Sequence, residues 1–158
     1  NFGDILDLGT EDRTISLWFK TSSNSQNYQV LLSKGYSATN NNHAISIHNG
    51  KLRVLMDIQG NDFIVNSTTQ SVSDGLWHNA TVIIDRDHFL FLYLDGELVD
   101  FKNIQAISSV NAQSDFNFYL GRSHTGQFFD GEIDEVRIFD RALSYNDVIS
   151  LYNSYHVH

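Results

Sequence analysis

The chain contains no cysteine and no proline. Without cysteine there is no disulfide to staple a fold and no thiolate for nucleophilic or soft-metal chemistry. Without proline, loops take their shape from Gly, Asn, Asp and Ser. Basic residues are scarce, 10 Lys and Arg against 19 Asp and Glu, which leaves a formal charge of −9 over 158 residues. No basic stripe is present for a phosphate backbone to follow, so nucleic acid is not expected as a partner. Apolar runs long enough to cross a bilayer are also missing, so no membrane insertion is expected. The first residue is Asn, no leader segment is visible, and the chain reads as one domain, 1–158, cut from a larger protein.

A 41% hydrophobic and 13% aromatic composition is enough for a sizeable core. Its periodicity is that of short strands. Ile15, Leu17 and Phe19 alternate with polar residues over 14–20, and a second strand is read over 28–33. Asn49-Gly50 is a preferred pair for a two-residue type I′ turn. It places His48 opposite Lys51 and Ile45 opposite Val54. Ile45, Ile47, Leu52, Val54 and Met56 then face the core, and Ser46, His48, Lys51, Arg53 and Asp57 face away. Asp95-Gly96 closes a second hairpin, with Leu92 opposite Val99 and Tyr93 opposite Leu98. That register groups Phe101 with Leu90, Leu92 and Val99, and leaves Phe91, Tyr93 and Leu98 on the other face, expected to lie under a terminal helix or loop.

Further strands are read near 4–8, over 62–66, 76–84 and 117–120. Ser144 followed by Asp147 is a capping box for a short helix over 145–152. The stretch 131–139 reads as the closing strand. A period of two puts Glu132, Asp134, Val136 and Ile138 on one face, so Asp134 shares a side with aliphatic residues and needs a cation or N–H groups as partner. Two sequons, Asn66-Ser67-Thr68 and Asn79-Ala80-Thr81, are present, the second inside a strand.

Several of these stretches recur in a known order. Asp74-Gly75-Leu76-Trp77-His78, the run Leu92-Tyr93-Leu94-Asp95-Gly96-Glu97-Leu98-Val99, Leu120-Gly121-Arg122, the run from Phe129 to Ile138, and Arg141-Ala142-Leu143-Ser144 together resemble the laminin G-like, concanavalin A-like jelly-roll superfamily. The resemblance implies an all-β, two-sheet antiparallel jelly-roll sandwich with one short C-terminal helix. It also implies a structural calcium ion, held by the Asp134 carboxylate and the carbonyls of Gly35 and of Gly3 or a neighbour, because calcium takes six to eight oxygens.

The resemblance is specific for fold and weaker for function. Glycanases with this architecture carry two glutamates on the strand matching 131–139, and here Val136 stands where the second belongs. Glu132 and Glu135, three apart, read as pointing to opposite faces, whereas a retaining pair sits about 5–5.5 Å apart. No nucleophile elbow is present. An enzyme is therefore not expected. His78, inside its motif, reads as structural. A non-catalytic, lectin-like carbohydrate-binding module of a secreted or cell-surface protein is expected, with a protein-binding adhesion domain as the alternative.

Three segments supply candidate sugar ligands: Tyr36 and His43 from the loop before the first hairpin, His48, Arg53 and Asp57 from its outward face, and Arg122 and His124 from the 122–128 loop. Sugars want planar rings to stack on and forked polar groups for hydroxyls. The net charge disfavours a polyanion, so a neutral or sparsely charged glycan is expected.

Overall fold

The computed structural model describes residues 7–35, 41–68 and 71–154. Among them are ten strands: β1 (Arg13–Lys20), β2 (Gln29–Lys34), β3 (Asn41–His48), β4 (Lys51–Ile58), β5 (Asn61–Asn66), β6 (Trp77–Ile84), β7 (Phe89–Leu94), β8 (Glu97–Asn103), β9 (Phe118–Leu120) and β10 (Glu132–Phe139). One helix follows, α1 (Tyr145–Asn153). The strands form two five-stranded antiparallel sheets, ordered β10-β1-β6-β7-β8 and β5-β4-β3-β2-β9. Ile15, Leu17 and Phe19 of β1 and Leu90 and Leu92 of β7 meet Ile45, Ile47, Leu52, Val54 and Met56 of the second sheet, all buried. Each such side chain contributes about 1.5–3 kcal/mol on burial. This is the jelly-roll sandwich that the sequence motifs imply.

The two outer faces differ, and that difference places the site. On the first sheet, α1 is seated by its Ser144–Asp147 capping box and packs Val148 and Leu143 against Ile83 and Tyr93. Trp18 stacks on Tyr152 of the same helix, with centroids 5.4 Å apart. Among the described residues no helix covers the outer face of the second sheet.

The first hairpin has the expected register, and Asn49 and Gly50 both have positive φ, 52° and 69°. The second hairpin departs from expectation. Tyr93 faces Leu98, but Leu92 faces Asp100, so Val99 is an extra residue and Phe101 lies opposite Phe91. The bulge moves Phe101 to the outer face, where it is 56% exposed and packs against Phe89 and Phe91. The expected cover holds for Tyr93, which lies under α1, and in part for Phe91, but not for Leu98, which is 45% exposed.

A second bulge corrects the reading of 131–139. Ser16 faces Arg137 and Trp18 faces Asp134, so Leu17 confronts both Glu135 and Val136; Glu135 has φ 48°. Parity reverses there. Ile133, opposite Phe19, packs on the core, and Asp134 turns outward and is exposed. The strand expected near 4–8 falls mostly outside the described residues; Asp7 and Leu8 are not in a strand. Asn79, the acceptor of the second sequon, is 1% exposed and donates to Ser16 Oγ at 3.2 Å, so that sequon is interior.

Candidate functional site

The open outer face of the second sheet is built by alternation. Ser33 of β2, Ala44, Ser46 and His48 of β3, and Arg53 and Leu55 of β4 project from it, with Arg53 opposite both Ser46 and Asn66. Tyr28 precedes β2 and, one step beyond the Gln29–Ile47 pair, falls beside His48. Their rings stack with centroids 4.2 Å apart and planes at 15°. The Arg53 guanidinium stands 5.7 Å from the Tyr28 ring centroid and donates to Asn66 Oδ1 at 3.4 Å. Tyr28, His48 and Arg53 thus form one aromatic and cationic cluster, with His48 and Arg53 carried on strands, which hold side chains more rigidly than loops do, and Tyr28 immediately before one.

A loop over 121–129 makes the wall. Val30 N–H donates to Gln127 O at 3.3 Å, Ser33 Oγ donates to Arg122 O at 3.0 Å, and Gly121 N–H donates to Leu31 O at 2.8 Å. Inside the loop, Ser123 Oγ accepts from the N–H groups of Thr125 and Gln127, each at 3.2 Å. Between wall and sheet lies a cleft of about 320 Å³, within the usual range for small-ligand sites, bounded by Arg53, Ser46, Ser33, Leu55, His124 and Gln127.

Of the residues singled out from sequence, Arg53, His124, His43 and Gly35 line this cleft, the last two at its buried end, and His48 stands at its margin through Tyr28. His124 is exposed, and its Nδ1 lies 3.5 Å from Tyr119 Oη. Arg122 does not line the cleft; its guanidinium stands 4.4 Å from the ring of Tyr119, which lies opposite Ser33 and beside His124. Tyr36 lies outside the described residues.

Two readings are corrected. His43 belongs to β3, not a loop, and pairs with Lys34 and Met56, which puts it on the core side. It is 6% exposed, and its Nε2 has no hydrogen-bond partner among the described residues. Burial, and next the Lys34 charge, push its pKa down to about 4, so the ring is neutral near pH 7 and supplies no cation. Asp57 does face outward but is 8% exposed; its Oδ1 accepts Gly60 N–H at 3.0 Å and its Oδ2 accepts from Asn42 Nδ2 at 3.5 Å. It closes the β4–β5 turn and offers no free carboxylate to a sugar.

Two of the expected calcium donors fall within the described residues. Asp134 projects outward from the first sheet, away from the second, and its Oδ1 accepts the N–H of the adjacent Glu135 at 2.8 Å. Gly35 ends β2 in the second sheet. Its conformation (φ 85°) and its neighbours give it another role: an added Cβ would lie 2.2 Å from Asn41 O. Gly3 lies outside the described residues. Asp134 and Gly35 thus belong to different sheets, and among the described residues no three His, Cys, Asp or Glu side chains are grouped to hold a metal.

The glutamates of β10 are each tied to a neighbour. Glu132 pairs with Lys20 at 2.6 Å and Glu135 with Arg137 at 2.5 Å. Because Glu135 occupies the bulge, simple strand alternation does not describe where the two point.

Sequence reading missed Tyr28 and Ser33 as site residues; Ser46 was placed on the outward face, and Gln127 was grouped with the candidate sugar site, as they stand here. Tyr28 carried a signal: the pairing of β2 with β3 puts it beside His48, but the long segment between those strands hides that register.

The pattern of the concanavalin A-like lectin/glucanases superfamily matches residues 1–149. Paraclostridial mosquitocidal protein 1 of Paraclostridium bifermentans is 26% identical across 91% of this chain and 12% of its own length. The structure of that protein's binding domain superposes with a TM-score of 0.72 at 20% identity, over 91% of this chain and 37% of that one. The CBM40 of the Ruminococcus gnavus IT-sialidase, solved bound to α2,3-sialyllactose, gives 0.74 at 20% identity over 90% of this chain and 83% of that one. The binding domain of botulinum neurotoxin DC, solved in complex with rat synaptotagmin II, gives 0.67 at 16% identity over 92% and 36%. The chain spans about an eighth of the mosquitocidal protein's length. These similar structures are binding domains.

Proposed function

The chain belongs to the concanavalin A-like lectin/glucanases superfamily, and from that membership we propose that it is a carbohydrate-binding module of an extracellular protein, taking a sparsely charged glycan on the outer face of its second sheet. The observation that carries the reading is the Tyr28–His48–Arg53 cluster beside an open cleft. A stacked ring pair offers apolar surface to a sugar face, and the Arg53 fork suits a carboxylate or vicinal hydroxyls. The R. gnavus module bound to α2,3-sialyllactose supports the choice of ligand, a trisaccharide with one acidic unit. The net charge of −9 fits one anionic group better than a polyanion.

A glycan array carrying sialylated and neutral oligosaccharides tests this, with Arg53→Ala as the control. Retention of sialylated glycans by the wild type, lost in the variant, is expected. No retention of any glycan contradicts it.

A second reading, protein binding, draws on the patch formed by Phe89, Phe91 and Phe101 on the first sheet. Exposed aromatic clusters of this kind mark contact surfaces. It predicts protein capture that Phe101→Ser abolishes and Arg53→Ala leaves intact.

A further inference from the structure

Beyond the loop wall lies a second, more open cleft of about 680 Å³, formed by the 23–29 segment and the 126–130 segment. It meets the first along a shared border: Tyr28 and Gln127 line both. Its chemistry is different. Around it stand the amides of Gln26, Asn27 and Gln127, the hydroxyls of Ser23 and Ser25, the ring of His48, and no Lys or Arg; Asp130 is its one carboxylate. The first cleft has Arg53 among its lining residues, while Lys34 at its base is buried and paired with Asp7.

Some of the polar groups here already serve the fold. Gln29 is buried, donates to Ser23 O and accepts Asp130 N–H, both at 3.3 Å, which locks the two segments together. Thr21 Oγ1 donates to Asp130 O at 2.6 Å. Ser25 Oγ accepts Asn27 N–H at 3.1 Å and shapes the rim. In contrast, the side-chain amides of Gln26, Asn27 and Gln127 are exposed and make no hydrogen bond to another described residue. Each amide presents a donor and an acceptor side by side, the complement of a sugar hydroxyl.

Phe128 supplies the flat surface. It is 65% exposed, and it stands over Gly126, where an added Cβ would sit 3.4 Å from Phe128 Cε2. Gly126 has φ 85°, so a glycine both permits the turn and leaves the ring room. A bare aromatic ring flanked by unspent amides recognises an uncharged pyranose, through its C–H face and its hydroxyls together. An anionic sugar would meet Asp130 there with no facing Lys or Arg.

We propose that the cleft formed by Phe128, Gln127, Gln26 and Asn27 is a second sugar subsite that takes an uncharged pyranose, continuous with the Arg53 cleft across Tyr28. The module therefore grips at least two consecutive sugar units, not one terminal residue. This rests on the glycan-binding reading above and adds the length and polarity order of the ligand: acidic unit at Arg53, neutral units toward Phe128.

The test compares α2,3-sialyllactose with free sialic acid by calorimetric titration of the whole domain. For the wild type, the trisaccharide is expected to bind at least tenfold tighter. In Phe128→Ala and in Gln127→Ala that ratio is expected to fall below about threefold, and Phe128→Tyr is expected to keep it. Arg53→Ala is expected to weaken both ligands while preserving the ratio. Equal affinity of the two ligands for the wild type overturns the second subsite and leaves the first reading standing, as does a ratio unmoved in both Phe128→Ala and Gln127→Ala. Absence of binding by either ligand overturns both.

Discussion

The Tyr28 ring lies flat on the His48 imidazole, 4.2 Å between centroids and 15° from parallel. The two residues come from opposite ends of 20 residues of chain, and the β2–β3 register brings them together. The stack holds the Tyr28 ring at the border of both clefts, with Arg53 beside it.

His48→Ala removes the support and leaves the ring free to turn. An aromatic pair of this geometry is worth about 0.5–1.5 kcal/mol, roughly a 2- to 13-fold change in an equilibrium constant. Sialyllactose affinity should fall by that order while the melting temperature moves little, because neither ring belongs to the core. Calorimetry and thermal melts on the same variant check both halves.

Lys34 Nζ and Asp7 form an ion pair of 2.8 Å, with the lysine side chain 3% exposed. Taking away one partner strands a buried charge, which costs about 3–5 kcal/mol. Asp7→Ala should therefore lower urea stability by that amount, whereas Lys34→Met combined with Asp7→Leu should recover most of it. Equal losses in the single and double variants would mean that packing, not charge, is at stake.

Two histidines set opposite slopes of stability against pH. His78 has one nitrogen 2.8 Å from Asp95 and the other 3.1 Å from Asp74, and the hydrogen bond to Asp95 is the main cause of its raised pKa. A raised pKa means that the folded state holds the proton more tightly. Its stabilisation is complete below about pH 6.5, the unfolded value, and is lost as pH rises through the folded value. His43 is the reverse: with its pKa down at about 4, the folded state refuses a proton that the unfolded chain accepts. Stability from this source falls as pH drops from about 6.5 toward 4. His88, beside Asp85, shifts in the same direction as His78. Urea melts of wild type, His78→Gln and His43→Leu between pH 4 and 9 should show the alkaline decline reduced in the first variant and the acid decline reduced in the second.

How much of this could be read from the sequence follows turn chemistry. Asn49-Gly50 fixes one register with two left-handed residues, so Arg53, Ser46 and His48 fall on the correct face at once. A bulge has no such marker. Val99 and Glu135 look like ordinary strand residues, yet each inserts one extra position and reverses every side chain beyond it. Hence Phe101 and Asp134 appear on the wrong faces in any strict alternation. The buried state of His43 was hidden for a related reason. Three asparagines before it look like loop, while β3 begins at Asn41 and takes in the last two of them.

Asp134 illustrates the consequence. It is exposed, and among the described residues it accepts its neighbour's N–H, so it is not the buried carboxylate for which a partner was required. Asp134→Ala should lower the melting temperature by a few degrees at most, and equally in excess calcium and in excess chelator. Calcium itself remains a proposal carried by the family resemblance. An ion bound at a hundredfold excess over its Kd would add about 2.7 kcal/mol, so wild-type melts under the same two conditions measure its contribution directly.

The central claim is that glycan is gripped on the outer face of the second sheet. Amide chemical-shift mapping of the 15N-labelled domain titrated with α2,3-sialyllactose tests it most directly. The account predicts saturable shifts over 26–33, 44–48, 53–55 and 123–128, and none over 89–101. Shifts clustered on the Phe89, Phe91 and Phe101 patch, or no saturable shifts at millimolar sugar, would contradict it.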